Sequence, residues 1–260
     1  MKKPFRLTLF IFALIPLSAL AAPIGTTPDT RPAAPQERPQ WKDNGFSLQL
    51  GGNYLKGNVD LFNLISSFSF NANRGQHQFF ADASNMAAKN QGSFYMNRAS
   101  GSALYAYGLR ENFNLYAYST QAFDQAIKLD YRHSYGIGAC LHKLAQPNFK
   151  LFLLSVALAP ENEWYQQGLN KFTVRSMFRA NAILPLTANS ELGADSFFTP
   201  ALRDAGDYRL FGEGYWKTGI AENLSFKLSC ANEYISRPLP GIRNNDLGVF
   251  SSLVFDWGSK

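Results

Sequence analysis

The residues in this 260-residue sequence best able to do chemistry are three histidines and a scatter of charged side chains. A hydrolase needs a nucleophile, a base within hydrogen-bond reach of it, and a group that orients the base. The candidate bases are His77, His133 and His142. In "LDYRHSYGIGACLH" (129–142), His133 shares a phase with Tyr131 and Tyr135, and Ser119 is the nearest serine of matching phase on the preceding segment. No third, orienting group is evident, and there is no G-x-S-x-G elbow. The expectation is therefore no catalytic residues and no enzyme, with a barrel-type lipase or protease as the alternative. Cys140 and Cys230 lie in opposite phases of distant segments, so they should not be bridged. No C-x-x-C or Cys/His cluster predicts a metal site, and no cofactor is expected.

The charged residues carry more information. In "YRLFGEGYWK" (208–217), Arg209, Glu213 and Lys217 recur every fourth residue. That spacing fits one helix face, and it equally fits one side of a strand with Phe211 and Tyr215 between them. Gly212, Gly214 and several aromatic residues make a poor helix. The next segment, "NLSFKLSCANEY", alternates Leu224, Phe226, Leu228 and Cys230 with Ser225, Lys227, Ser229 and Ala231, which settles on period two. Charges of both signs recur at mid-strand positions: Asp82, Arg98, Asp130, Arg132, Arg175, Arg179, Glu191, Asp195, Arg209, Glu213, Lys217, Lys227 and Glu233. Such residues can pair with one another across a narrow lumen.

Alternating segments require strands to position them. The reading gives twelve: 45–54, 59–73, 77–87, 94–108, 113–123, 129–142, 149–158, 171–185, 190–199, 206–219, 223–235 and 246–257. The links "NRGQ", "RENF", "LAQPNF", "LTANS" and "IAENLS" are tight. The intervening ones, such as "APENEWYQQGLN" (159–170) and "SRPLPGIRNND" (236–246), are longer, with "KGN" (56–58) as an exception. Short links on one rim and long links on the other are the habit of an up-and-down membrane barrel. Its outer face would be the apolar phase. Tyr54, Tyr95, Tyr107, Trp164, Tyr165, Tyr208, Trp216, Tyr234 and Trp257 read as interfacial girdles. The competing reading is a soluble, lipocalin-like periplasmic barrel, apolar within and polar without, that binds a ligand. Twelve strands lie between filled eight-stranded barrels and open porins. Inward Phe211 and Tyr215 predict a largely occluded lumen, and mixed charge predicts little ion selectivity.

The chain opens "MKKPFRLTLFIFALIPLSALAAP", with a basic stretch, an apolar stretch and an A-x-A site. This reads as a cleaved signal peptide, 1–21. The net charge of +6 falls to +3 once Lys2, Lys3 and Arg6 leave with it, and no long basic run remains, so no nucleic-acid partner is expected. Residues 22–44 are Pro-rich and poor in large apolar side chains, which predicts a flexible periplasmic lead-in. Residues 45–260 are the barrel domain, all-β. The implied location is the cell outer membrane. The implied partners are outer-membrane lipid, periplasmic chaperones and barrel-assembly machinery during biogenesis, and small solutes.

"GGNYLKGNVDLFNL" (51–64), "NRGQHQFFADAS" (73–84), "TPALRDAGDYRLFGEGYW" (199–216), "NLSFKLSCANEYISRPLPG" and "DLGVFSSLVFDW" resemble the segments of the YdiY-like, salt-induced outer-membrane protein family of bacteria, whose domain has no assigned function. The resemblance spans about residues 45–257. It implies an outer-membrane β-barrel and carries over no catalytic or ligand residues. One departure is the end, "FDWGSK", where Trp257 stands three residues before the terminus instead of closing the chain.

Overall fold

Twelve antiparallel strands close on themselves in chain order, each hydrogen-bonded to its sequence neighbours. The computed structural model describes residues 44–55, 61–90, 93–110, 112–142 and 151–258. The strands are β1 (Asn44–Leu55), β2 (Leu61–Arg74), β3 (His77–Asn90), β4 (Ser93–Arg110), β5 (Phe113–Asp124), β6 (Leu129–His142), β7 (Leu151–Tyr165), β8 (Leu169–Thr187), β9 (Ser190–Pro200), β10 (Tyr208–Ala221), β11 (Leu224–Ile235) and β12 (Asn245–Gly258). Single 3₁₀ turns, Gln125–Ile127 and Gln166–Gly168, join β5 to β6 and β7 to β8. Closure runs through β1 and β12, from Gly45 opposite Gly258 to Gly51 opposite Ser252. A closed ladder leaves no edge strand with unpaired backbone groups, as a bilayer demands.

The two rims differ. The rim holding both ends of the sheet has two-residue turns at 75–76, 188–189 and 222–223 among the described residues. Gly75, at φ 60°, takes the left-handed conformation that lets the first of these turn so tightly. The far rim carries the longer links at 125–128, 166–168, 201–207 and 236–244. The expected link at 159–170 is corrected: β7 runs on to Tyr165, and only 166–168 turns. The expected turns at 56–58 and 144–149, the signal 1–21 and all of the lead-in except Asn44 lie outside the described residues.

Every strand turns apolar side chains outward. Leu48, Tyr105, Ile137, Phe178, Leu210 and Leu253 are all exposed, Ile137 at 68%. The opposite phase is buried and holds the charges. The lipocalin-like arrangement is the reverse of this, and is set aside on that ground. Aromatic pairs ring the rims: Phe46 stacks on Trp257 at 6.4 Å, Tyr208 on Tyr234 at 5.8 Å, and Tyr131 leans on Trp164 at 5.4 Å. Tyr165 departs from the expected girdle. It shares the phase of Glu163 and its hydroxyl donates to that carboxylate, 2.9 Å away.

Aromatic side chains also fill the interior where the wall offers glycine. Tyr116 and Tyr118 on β5 stand opposite Gly138 and Gly136 on β6. A Cβ at Gly138 would meet Tyr116 at 2.6 Å, and one at Gly136 would meet Tyr118 at 2.8 Å. With Phe197, Phe211, Met177 and Leu104 these rings form the apolar part of a packed interior.

Candidate functional site

The interior charges gather around two glutamates on β7. Glu161 and Glu163 extend the buried phase of Ser155, Ala157 and Ala159 through Pro160. The β6–β7 ladder is interrupted between Ser134↔Glu161 and Ile137↔Leu158, beside the proline that has no N–H to give. Arg132 on β6 holds Glu163 with Nε at 2.8 Å and Nη2 at 2.7 Å. Arg175 on β8 donates Nε to Glu161 at 3.1 Å. Arg209 on β10 donates to both: Nη1 to Glu161 at 2.9 Å and Nη2 to Glu163 at 2.7 Å. β8 and β9 separate β10 from β7 in the wall, so Arg209 bridges across the interior. Ser134 adds a hydroxyl to Glu161 at 3.1 Å.

Arg175 links this hub to the far rim. Its Nη2 donates to Asp207 Oδ1 at 3.0 Å, and its Nη1 to the carbonyls of Thr199 and Asp207. Lys171 completes the grip on Asp207 at 2.7 Å. Burial alone would push the Asp207 carboxyl up, but Lys171 and Arg175 outweigh burial and hold it below the ordinary carboxylate range. A lowered folded value means that Asp207 stabilises the turn at 201–207 above its unfolded value, ~3.9. That contribution drains away as pH falls through the folded value. Amide protection factors in 201–207, measured against the intrinsic exchange rate at each pH, are expected to fall on acidification in the wild type, and to lose this acid-dependent step in Asp207→Asn.

Further pairs line the rest of the interior. Arg179 grips Asp195 with two parallel bonds, 2.9 and 2.7 Å, and its guanidinium lies 4.8 Å from the Phe197 ring centre. Lys227 donates to Glu213 at 2.7 Å beside the Tyr215 ring, and Lys217 donates to Asp256 at 2.7 Å. Arg98 lies 3.4 Å from Asp124 and 3.9 Å from Asp246. On the β1–β4 side small hydroxyls and amides join the Arg98 pairs. Gln49 donates to Ser252 at 2.9 Å, Ser84 meets Ser100 at 2.8 Å, and Ser102 donates to Asp82.

Of the charges singled out in the sequence, Arg98, Arg132, Arg175, Arg179, Asp195, Glu213 and Glu233 are buried. Asp82, Glu191, Arg209, Lys217 and Lys227 are half-buried. Asp130 is corrected: it is exposed, because a bulge between Leu129 and Tyr131 shifts the register there. The sequence reading missed Glu161, Glu163, Asp124, Asp207, Asp246 and Asp256. Continuing the two-residue period through Pro160 would have found the first two. Both cysteines are free, Cys140 buried and Cys230 exposed. Among the described residues no group of three His, Cys, Asp or Glu side chains could hold a metal ion.

A family described as "Protein of unknown function, DUF481" matches residues 48–257, nearly all of the barrel. The chain belongs to the DUF481 family. No curated protein matches it. Among solved structures, this DUF481 barrel is similar to the NanC porin at 9% identity, covering 82% of this chain and 99% of that one, with a TM-score of 0.50. It also matches the KdgM porin at 8% identity, covering 82% and 99%, TM-score 0.45. A third match is the translocator domain of the autotransporter NalP from Neisseria meningitidis, at 14% identity, covering 84% and 87%, TM-score 0.43. The NanC likeness shows that this DUF481 chain shares the closed β-barrel fold of a porin.

Proposed function

We propose that the protein is an outer-membrane barrel, delivered by a cleaved signal at 1–21, whose ion-paired lumen is nearly closed and passes at most small polar solutes. The rim of two-residue turns faces the periplasm in this reading, and the longer links face outward. The observation that carries it is the Arg209 bridge to Glu161 and Glu163, which spans the interior between β10 and β7. Phe211 packs beside it against Phe197, their ring centres 6.0 Å apart. The route left for solutes is the hydroxyl- and amide-lined β1–β4 side. A cavity on that side, lined by Gln49, Ser67, Ser84, Asn85, Arg98 and Ser100, favours a hydrated path over a dry core. Chaperones, assembly machinery and lipid are the expected partners, with no cofactor and no nucleic acid.

Planar-bilayer recording tests the reading. Removing Arg209 leaves Arg132, Arg175 and Lys171 facing Glu161, Glu163 and Asp207, a balanced set that should still fold. Wild type is expected to conduct in small steps without strong preference for cation or anion, and Arg209→Ala in larger ones. Silence of both proteins across salts and voltages removes conduction. Wide-pore conductance unchanged by Arg209→Ala removes occlusion.

A further inference from the structure

The outer surface of β5, β6 and β7 carries a group of polar side chains where lipid-facing residues should be apolar. Gln121, His133 and Asn162 stand side by side in register across the three strands. Ser119, one outward position further along β5, lies with its Oγ 3.1 Å from His133 Nε2. Around them the same surface is apolar: Leu115, Ile137 and Leu158 are exposed. Tyr131 and Trp164 flank the group toward the far rim, and the Tyr131 and Tyr135 rings lie 6.4 and 5.5 Å from the His133 ring. Interfacial aromatics mark headgroup level. The polar group therefore sits just beneath it, at the depth of lipid ester linkages.

We propose that Ser119 and His133 form a lipid-facing acyl-ester hydrolase site, an activity separate from conduction. A hydroxyl hydrogen-bonded to an imidazole is the core of an activated serine nucleophile. Ser119 Oγ attacks the ester carbonyl of a lipid acyl chain while His133 Nε2 takes its proton. The tetrahedral intermediate collapses by breaking the acyl C–O bond, from the carbonyl carbon to the ester oxygen, and the imidazolium gives its proton to that departing oxygen, leaving an acyl-serine and releasing the lysolipid alcohol. Water attacks the acyl-serine with His133 again as base, and the fatty acid leaves as Ser119 recovers its proton. Asn162, directly across from His133, is a positioning residue within cross-strand reach of the ring. On the other side the Gln121 amide supplies a donor toward the developing oxyanion.

The test uses the full chain refolded from inclusion bodies into phosphatidylethanolamine vesicles, which excludes host lipases. Two readouts are taken: covalent labelling by a fluorophosphonate, and fatty-acid release from a fluorogenic phospholipid in the same vesicles. Wild type is expected to be labelled at Ser119, located by peptide mass spectrometry. Ser119→Ala and His133→Ala should each lose at least about 100-fold in release. Asn162→Ala should lower kcat without raising KM. Ser196→Ala, outside the site on β9, should match wild type. Each variant is first shown to keep the unboiled, fast-migrating gel band of a closed barrel. The proposal is overturned if folded wild type neither takes the label at Ser119 nor releases fatty acid, or if Ser119→Ala releases it as fast as wild type.

Discussion

Ile137→Arg is expected to destabilise the barrel by ~2–4 kcal/mol, the cost of a basic side chain near the bilayer midplane of a membrane barrel. Ile137 is the most exposed large apolar side chain described, at 68%, and sits mid-strand between Ala117 and Leu158. In a water-soluble protein an exposed isoleucine is the safest place to add a charge, since surface substitutions usually change stability by ~0.5 kcal/mol or less. The two environments therefore predict opposite outcomes for one substitution. Refolding into lipid vesicles and titrating with urea, read by tryptophan fluorescence and by the unboiled gel band, should show a large drop in midpoint. Ser134 provides the internal control. It lies on the same strand in the buried phase and donates to Glu161, so Ser134→Ala should cost only a hydrogen bond to a charged acceptor, ~1.5–3 kcal/mol. A midpoint for Ile137→Arg equal to wild type would place that face in water and overturn the inside-out reading.

Much of this architecture was legible because lipid on one side and ion pairs on the other force a strict two-residue period. β6 was read at its full extent, 129–142, from alternation alone. The places where legibility failed are places where the period is locally disguised. Pro160 and Asn162 look like loop chemistry, so the alternation ends β7 at 158 and puts its two glutamates in a turn. The structure carries the strand through the proline by leaving the ladder open beside it. At Asp130 a bulge makes Leu129 and Tyr131 face opposite sides, Leu129 fully buried and Tyr131 exposed. A bulge inserts one residue without changing composition, so the pattern gives no warning. The hub itself was illegible for another reason. Alternation tells which residues share the interior, but the meeting of Arg209 with Glu161 depends on which strands lie across from one another. The Ser119–His133 pair was half visible: the shared phase could be read, while the 3.1 Å approach required the register of β5 against β6.

Glu161→Ala should be the most damaging neutral substitution in the interior, costing ~3–5 kcal/mol as the removal of one partner from a buried ion pair. The reason is charge balance. Arg132, Arg175, Arg209 and Lys171 face Glu161, Glu163 and Asp207, so the cluster already has one positive charge in excess. Glu161 touches all three arginines. Its loss leaves four positive groups against two carboxylates and strips Arg175 and Arg209 of a partner each. Arg209→Ala moves the balance the other way, to three against three, and should cost much less although it deletes two of the shortest bonds in the hub. The double variant Glu161→Ala/Arg209→Ala restores the original excess of one, and should be more stable than Glu161→Ala alone. Urea midpoints of the four proteins in vesicles close this cycle. If removing Arg209 worsens Glu161→Ala instead of relieving it, packing of the long arginine stem governs the hub, and charge balance does not.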